Sequence, residues 1–304
     1  MENLPVDYFT TTSAYTPHVF RDQYPSIDPS QPALSQTGKV VVITGATAGI
    51  GALGLSPAFA KAGPKAVVLV ARNQAKLEAL AKELQAKYPA VEFLPVSASV
   101  SDEAQVSKLY EVVKQKYGHA DVLINNAGVW AQQAMFAEAT PSKWWSDFEV
   151  NVNGPFLMSQ GFVRLLGPEK EGTIVTLNTG IAGMVAPSMS SYSISKSASL
   201  RLAEYIAAEH PNVNSVSIQP GVVNTEMVVD SFKRFALDTP ELVGGSVVWL
   251  STDAARFLSG RFVSANWSVN DLMKQKEKIM AGNDLKLVYQ GTFGLDQFSE
   301  EEKK

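Results

Sequence analysis

The chain of 304 residues contains no cysteine. That excludes disulfides, iron–sulfur clusters, thiolate zinc sites and a cysteine nucleophile. Histidine is scarce: His18, His119 and His210 are the three present, far apart in sequence. This spacing argues against a multi-histidine metal site or a Ser-His-Asp triad, and no metal is expected. There is no excess of basic charge either. The 26 Lys and Arg against 30 Asp and Glu leave a formal charge of -4. Nucleic-acid binding usually rests on a basic patch, so no such partner is expected. No apolar run approaches the roughly 18–20 residues of a membrane-spanning helix. The first residues, MENLPVDYFTTTSAY, lack the basic start and apolar stretch of a secretory signal. A cytoplasmic protein without a membrane partner is the resulting expectation.

What remains is an ordinary globular composition, 45% hydrophobic and 18% charged, long enough to bury a full core. Residues 1–37 stand apart. They carry five prolines, which break regular structure, and also Tyr8, Phe9, Tyr15, Phe20 and Tyr24. Disordered segments are poor in aromatics. The pattern therefore predicts an irregular arm lying on the main body or on a neighbouring subunit.

From Gly38 onward short β-branched runs alternate with helical patterns. Strands are predicted at Lys39–Thr44, Ala66–Ala71, Val91–Val96, Asp121–Asn125, Thr173–Asn178, Val213–Ile218 and Arg261–Ala265. Between them, helices are predicted over Gln74–Tyr88, Asp102–Tyr117, Tyr192–Glu209 and Pro240–Ser251. This alternation implies βαβ units and a parallel sheet covered on both faces. The chain thus reads as an α/β protein with one domain over 38–268, an arm over 1–37 and a tail over 269–304.

The first strand runs into Thr44-Gly-Ala-Thr-Ala-Gly-Ile-Gly51. Glycines 45, 49 and 51 at a strand-to-helix turn permit close backbone approach to a phosphate, and the helix start offers free N–H groups. The spacing is neither G-x-G-x-x-G nor a P-loop. Pro57, a few residues on, predicts an irregular first helical turn. At the end of the second strand, sites selecting NAD often carry a carboxylate for the ribose 2′-hydroxyl. Here Ala71 is followed by Arg72. An arginine suits a 2′-phosphate, which favours NADP(H) over NAD(H).

Tyr192 and Lys196 stand at i and i+4 and share a helix face. A nearby ammonium favours phenolate, and a tuned tyrosine can exchange a proton with an alkoxide. Tyr110 and Lys114 repeat this spacing and serve as an internal control. Tyr110 lies on an apolar stripe with Val106, Leu109 and Val113, so it reads as core. Tyr192 follows the polar stretch Pro187–Ser191 and reads as the start of its helix.

Taken together and in order, the motifs Thr44–Gly51, Asn125-Asn126-Ala127-Gly128, Asn151, Tyr192-x-x-x-Lys196 and Pro220-Gly221-Val-Val-Asn-Thr225 resemble those of a classical short-chain dehydrogenase/reductase, over about Gly38 to Trp267. The stretch around Val248 and Arg261–Trp267 is reminiscent of fungal members. The resemblance implies a Rossmann-like, doubly wound, parallel seven-stranded sheet in the order 3-2-1-4-5-6-7. It implies Tyr192 as general acid/base. Lys196 would hold the nicotinamide ribose and lower the Tyr192 pKa, and Asn151 would position a relay water. Gly45, Thr47, Gly49, Ile50, Gly51, Arg72, Ser99, Asn126, Gly128, Val223 and Thr225 would border the cofactor. Two positions depart from the family pattern. Thr179 stands where a serine usually polarises the carbonyl, and Ser99 where an aspartate often meets the adenine. Threonine keeps the hydroxyl donor.

The resulting expectation is an NADP(H)-dependent oxidoreductase. It would act on a ketone, aldehyde or secondary alcohol of an apolar small molecule, such as a polycyclic or polyketide-like one. Trp130, Met135, Phe136, Met184, Met189, Met227, Phe232 and Phe235 are candidates for lining either the pocket or a packed lid. The two departures keep open a non-redox cyclase, isomerase or dehydratase, and a cofactor-binding sensor. Family resemblance further implies a homo-dimer or homo-tetramer.

Overall fold

The computed structural model describes residues 4–299 and 301–303. Met1–Asn3, Glu300 and Lys304, the extremities of the arm and tail, lie outside the described residues. The strands are β1 Val40–Thr44, β2 Ala66–Ala71, β3 Glu92–Ser97, β4 Val122–Asn125, β5 Gly172–Leu177, β6 Val213–Gln219 and β7 Arg261–Ser264. They form one sheet in the order β3-β2-β1-β4-β5-β6-β7, and every pairing is parallel. The fold is therefore α/β, Rossmann-like and doubly wound.

The continuous apolar strands follow from burial on both faces. In β1, Val41 and Ile43 enter one core layer while Val40 and Val42 enter the other. The first layer is covered by α1 Ser56–Lys61, α2 Gln74–Lys87 and, later in the chain, α7 Pro240–Leu250. The second is covered by α3 Glu103–Tyr117, α5 Gly154–Leu166 and α6 Ser190–Glu209; α4 Pro141–Phe148 leads into α5. Caps fix several helix starts. Asn73 accepts the N–H of Lys76 at 3.0 Å, and Asp102 that of Gln105 at 3.0 Å. The chain leaves β1 towards β2 and β3, then returns to β4 on the other side. Between β1 and β4 the carboxyl ends of the strands open a crevice, the usual ligand position in such sheets.

The irregular helix start expected from Pro57 is a π-helical turn, Gly51–Leu55, ahead of α1. Proline has no N–H to give; just before it, the Gly51 carbonyl accepts both the Ser56 N–H and, at 2.8 Å, the Ser56 hydroxyl. The N-terminal arm lies on its own chain: Tyr24, Ile27 and Leu34 are buried in the first core layer. Residues beyond 268 also join that layer. Two short helices, α8 Val269–Lys274 and α9 Lys276–Ala281, bury Val269, Leu272 and Ile279. The expected division at residue 268 thus runs through packed structure, because these apolar side chains complete the layer beside the arm.

Candidate active site

The crevice is a cleft of about 550 Å³. The glycine turn forms one wall. Gly45 (φ +63°) and Gly49 (φ +49°) take the left-handed conformation, which favours glycine. A side chain on Gly51 would lie 2.2 Å from the Gly45 carbonyl oxygen. The turn is braced from β4. The Asn126 amide donates to the carbonyls of Thr44 (2.9 Å) and Gly45 (3.2 Å), and the Thr44 hydroxyl accepts the N–H groups of Asn126 and Ala127. Asn126 therefore borders the cleft by holding the loop that shapes it.

The rest of the lining includes Thr47, Ile50, Arg72, Lys76, Ser99, Gly128, Tyr192, Lys196, Thr225 and Glu226. Sequence reasoning missed Lys76, although its i+4 spacing from Arg72 at a helix start was a usable signal. Arg72 after β2 and Lys76 in the first turn of α2 present two cations to the cleft, with no carboxylate between them in the chain. The cleft and its glycine turn fit a nicotinamide dinucleotide. Ser99 lines the same end with Ala98 and Val100.

Tyr192 opens α6, one turn before Lys196. The Lys196 Nζ donates to the Leu177 carbonyl at 2.8 Å and lies 5.9 Å from the Tyr192 ring centre. Burial pushes the ammonium down to about 8. The phenol shifts in the direction opposite to that implied by the resemblance. It is pushed up to about 12, first by burial and then by the negative charge of Asp147. Burial is the larger cause; the Asp147 charge adds to it from α4, while Lys196 bonds to a backbone carbonyl. The control pair separates as expected. Tyr110 is buried with its hydroxyl on the Met158 carbonyl at 2.6 Å, and Lys114 is exposed.

Four expected site residues do not line the cleft: Gly51, Asn151, Thr179 and Val223. Gly51 supports the glycine turn from within the first helical turn. Asn151 is buried in a second π-helical turn, Glu149–Asn153, between α4 and α5. Its amide bonds both the N–H and the carbonyl of Val129 at 2.9 Å, and the Ser195 hydroxyl at 3.1 Å. The side chain is thus committed to holding the loop after β4 against α6. Thr179 caps the turn Gly180–Gly183 through the Ile181 N–H at 3.4 Å. Val223 points into the first core layer.

Among the apolar candidates, Trp130 stacks on Tyr192, with ring centres 5.4 Å apart. Met135, Phe136, Met184 and Met227 are exposed, on the loops after β4, β5 and β6. Met189 and Phe235 are instead buried, and Phe232 stacks on Phe9. Phe9 also packs edge-on against Phe235. The arm thereby draws these two phenylalanines away from the cleft, a contact no local pattern announces.

Among the described residues no cluster of three or more His, Asp and Glu could hold a metal ion. No helix among them is long and apolar enough to cross a membrane.

Comparison with known proteins agrees with this geometry. The family described as short chain dehydrogenase matches residues 39–235. The short chain dehydrogenase citE of Monascus ruber is 35% identical over 88% of this chain and 93% of its own length. The short chain dehydrogenase pigC of the same fungus is 31% identical over 94% and 95%. Among solved structures, a gluconate 5-dehydrogenase from Burkholderia cenocepacia in complex with NADP and tartrate superposes with a TM-score of 0.70. It shares 22% identity, over 79% of this chain and 96% of its own. The chain belongs to the classical short-chain dehydrogenase/reductase family, a family of oxidoreductases that use a nicotinamide cofactor.

Proposed function

We propose that this protein is an NADP(H)-dependent carbonyl reductase, acting on an apolar ketone or aldehyde or, in reverse, on the matching secondary alcohol. The observation that carries this reading is the placement of Tyr192 and Lys196 in one cleft with a glycine phosphate turn and the Arg72–Lys76 pair. When bound, the nicotinamide supplies the hydride. Gly45, Thr47, Gly49 and Ile50 hold its phosphates. Arg72 and Lys76 meet the 2′-phosphate, with Ser99 beside the adenine. Asn126, Gly128 and Thr225 would border the nicotinamide side.

Tyr192 delivers a proton from its phenol oxygen to the carbonyl oxygen as that atom gains negative charge. Lys196, held by the Leu177 carbonyl, orients the ribose. Asn151 keeps the loop after β4 at its distance from α6 and lies next to the proton path. Thr179, at the end of β5, offers a hydroxyl to the carbonyl oxygen. Met227 lines the cleft, and Met135, Phe136 and Met184 are exposed on the loops after β4 and β5, which suits a hydrophobic substrate better than a sugar.

The test combines binding with turnover. Titration with NADPH and NADH, read by tryptophan quenching, should show tighter binding of NADPH; equal affinities would overturn the 2′-phosphate assignment. Tyr192→Phe should bind NADPH normally while losing about 100-fold or more of its reduction rate. Undiminished turnover would remove Tyr192 from the chemistry.

We also infer a homo-oligomer that assembles through α4, α5 and α6. There Trp145, Phe156 and Tyr205 are exposed and line an apolar groove of about 670 Å³.

A further inference from the structure

The buried carboxylate of Asp147 has no part in the mechanism above, yet it touches the catalytic region on two sides. It sits on α4 with no exposed surface. One oxygen accepts the N–H of Ala131 at 2.8 Å, and the other accepts the Ser191 hydroxyl at 2.6 Å. Ala131 follows Trp130, whose ring stacks on Tyr192. Ser191 precedes Tyr192 in the first turn of α6. Both oxygens act as acceptors, the pattern of an ionised carboxylate. Burial raises its pKa, while Ser191, Ala131 and the Lys196 charge oppose that rise.

We propose that Asp147 is a positioning residue for the Tyr192 proton donor: it ties the start of α6 to the loop after β4 and fixes a negative charge beside the phenol. This rests on the reading of Tyr192 as the acid/base. The two hydrogen bonds hold Trp130 and Tyr192 stacked, and so set the direction of the phenol oxygen. The charge acts separately. A carboxylate nearby disfavours phenolate, so Tyr192 keeps its proton to higher pH.

In reduction the protonated form is required, and the rate falls as pH rises through the Tyr192 pKa. In oxidation the phenolate is required, and the rate rises over the same range. Asp147 therefore extends reduction to more alkaline conditions and delays oxidation. It leaves the reaction equilibrium unchanged. Of the other ionisable groups lining the cleft, Lys196 lies near the ring on its own helix, and Glu226 after β6, Arg72 after β2 and Lys76 on α2 line the same cleft. Asp147 is the one whose charge raises the phenol.

The experiment compares wild type, Asp147→Asn and Ser191→Ala, each with and without Tyr192→Phe. The near-ultraviolet tyrosinate signal lost with Tyr192→Phe isolates the titration of that residue without requiring turnover. In Asp147→Asn it should move down by at least about half a pH unit, roughly threefold in proton affinity. The alkaline limb of kcat for reduction should move with it. Ser191→Ala keeps the charge but loses one tie. Its kcat should fall several-fold with KM little changed and the titration in place.

A folded Asp147→Asn protein whose Tyr192 titrates as in wild type would overturn the charge effect. Wild-type kcat in Ser191→Ala would overturn the positioning effect, even if Asp147→Asn failed to fold. Full turnover in Tyr192→Phe alone would instead sink the acid/base reading beneath the proposal, and the spectroscopic titration would still decide what the Asp147 charge does.

Discussion

A glycine in the phosphate turn shows how little space a single residue has here. The carbonyl of Gly45 stands 2.2 Å from where a Gly51 Cβ would be, and the Asn126 amide 2.8 Å away. Both neighbours belong to the braced turn, so neither can retreat freely. Gly51→Ala should lower stability by about 1–3 kcal/mol, the usual cost of overpacking, and weaken NADPH binding at least tenfold, roughly 1.4 kcal/mol. Thermal unfolding and tryptophan quenching would measure the two effects; normal binding would mean that the turn relaxes. This glycine was legible in the sequence because backbone requirements act locally. The roles of Asn126 and Asn151 were legible only in part. Sequence order placed them at the site, but not that their amides hold loops, because their partners come from other elements.

At the scale of elements, the two Tyr-x-x-x-Lys pairs give the clearest contrast. On α3, Tyr110 faces α5, and a Cβ on Gly161 would lie 2.4 Å from its ring. The missing side chain lets the two helices approach, and the phenol bonds the Met158 carbonyl. Tyr110→Phe should cost about 1 kcal/mol, the net worth of one buried hydrogen bond, and leave kcat unchanged. Denaturant melts and steady-state rates would check it. A loss of activity would mean that α5 transmits its position to the neighbouring π-helical turn that carries Asn151. The apolar stripe of α3 distinguished this pair in the sequence, because burial of a helix face follows a fixed period. No such period applies to Phe232 and Phe235, which the sequence left open between pocket lining and a packed lid. Their partner Phe9 lies more than two hundred residues earlier in the chain.

At the scale of the whole molecule, the N-terminal arm and the short helices after β7 join one core layer. The Phe20 N–H donates to the Asn266 carbonyl at 2.7 Å, and the Asn266 amide donates to the Phe20 carbonyl at 2.8 Å. The Tyr24 hydroxyl accepts the N–H of Val269 at 2.9 Å. The arm is therefore packed against its own chain, and the proposed assembly surface lies elsewhere, on α4, α5 and α6. Tyr205 is 60% exposed there, so a charge at this position should leave the isolated fold intact. Tyr205→Glu should reduce a sedimenting dimer or tetramer to monomer with an unchanged melting temperature. A wild-type protein that sediments as a monomer would refute the inferred interface.

What the sequence determined by itself was the succession of strands, the helices α2, α3, α6 and α7, the glycine turn and the Tyr192–Lys196 pair; α4, α5, α8 and α9 were not read from it. Each feature that was read is written in neighbouring residues through chain period, backbone freedom or helical spacing. Only the tertiary structure decided which way the Tyr192 pKa moves, which aromatics leave the cleft, and where the chain ends pack. Ser191 and Asp147 are 44 positions apart, and Tyr24 and Val269 are 245 apart. Contacts of that length arise when the sheet brings its covering helices and loops together, and burial then sets the electrostatics of what they enclose.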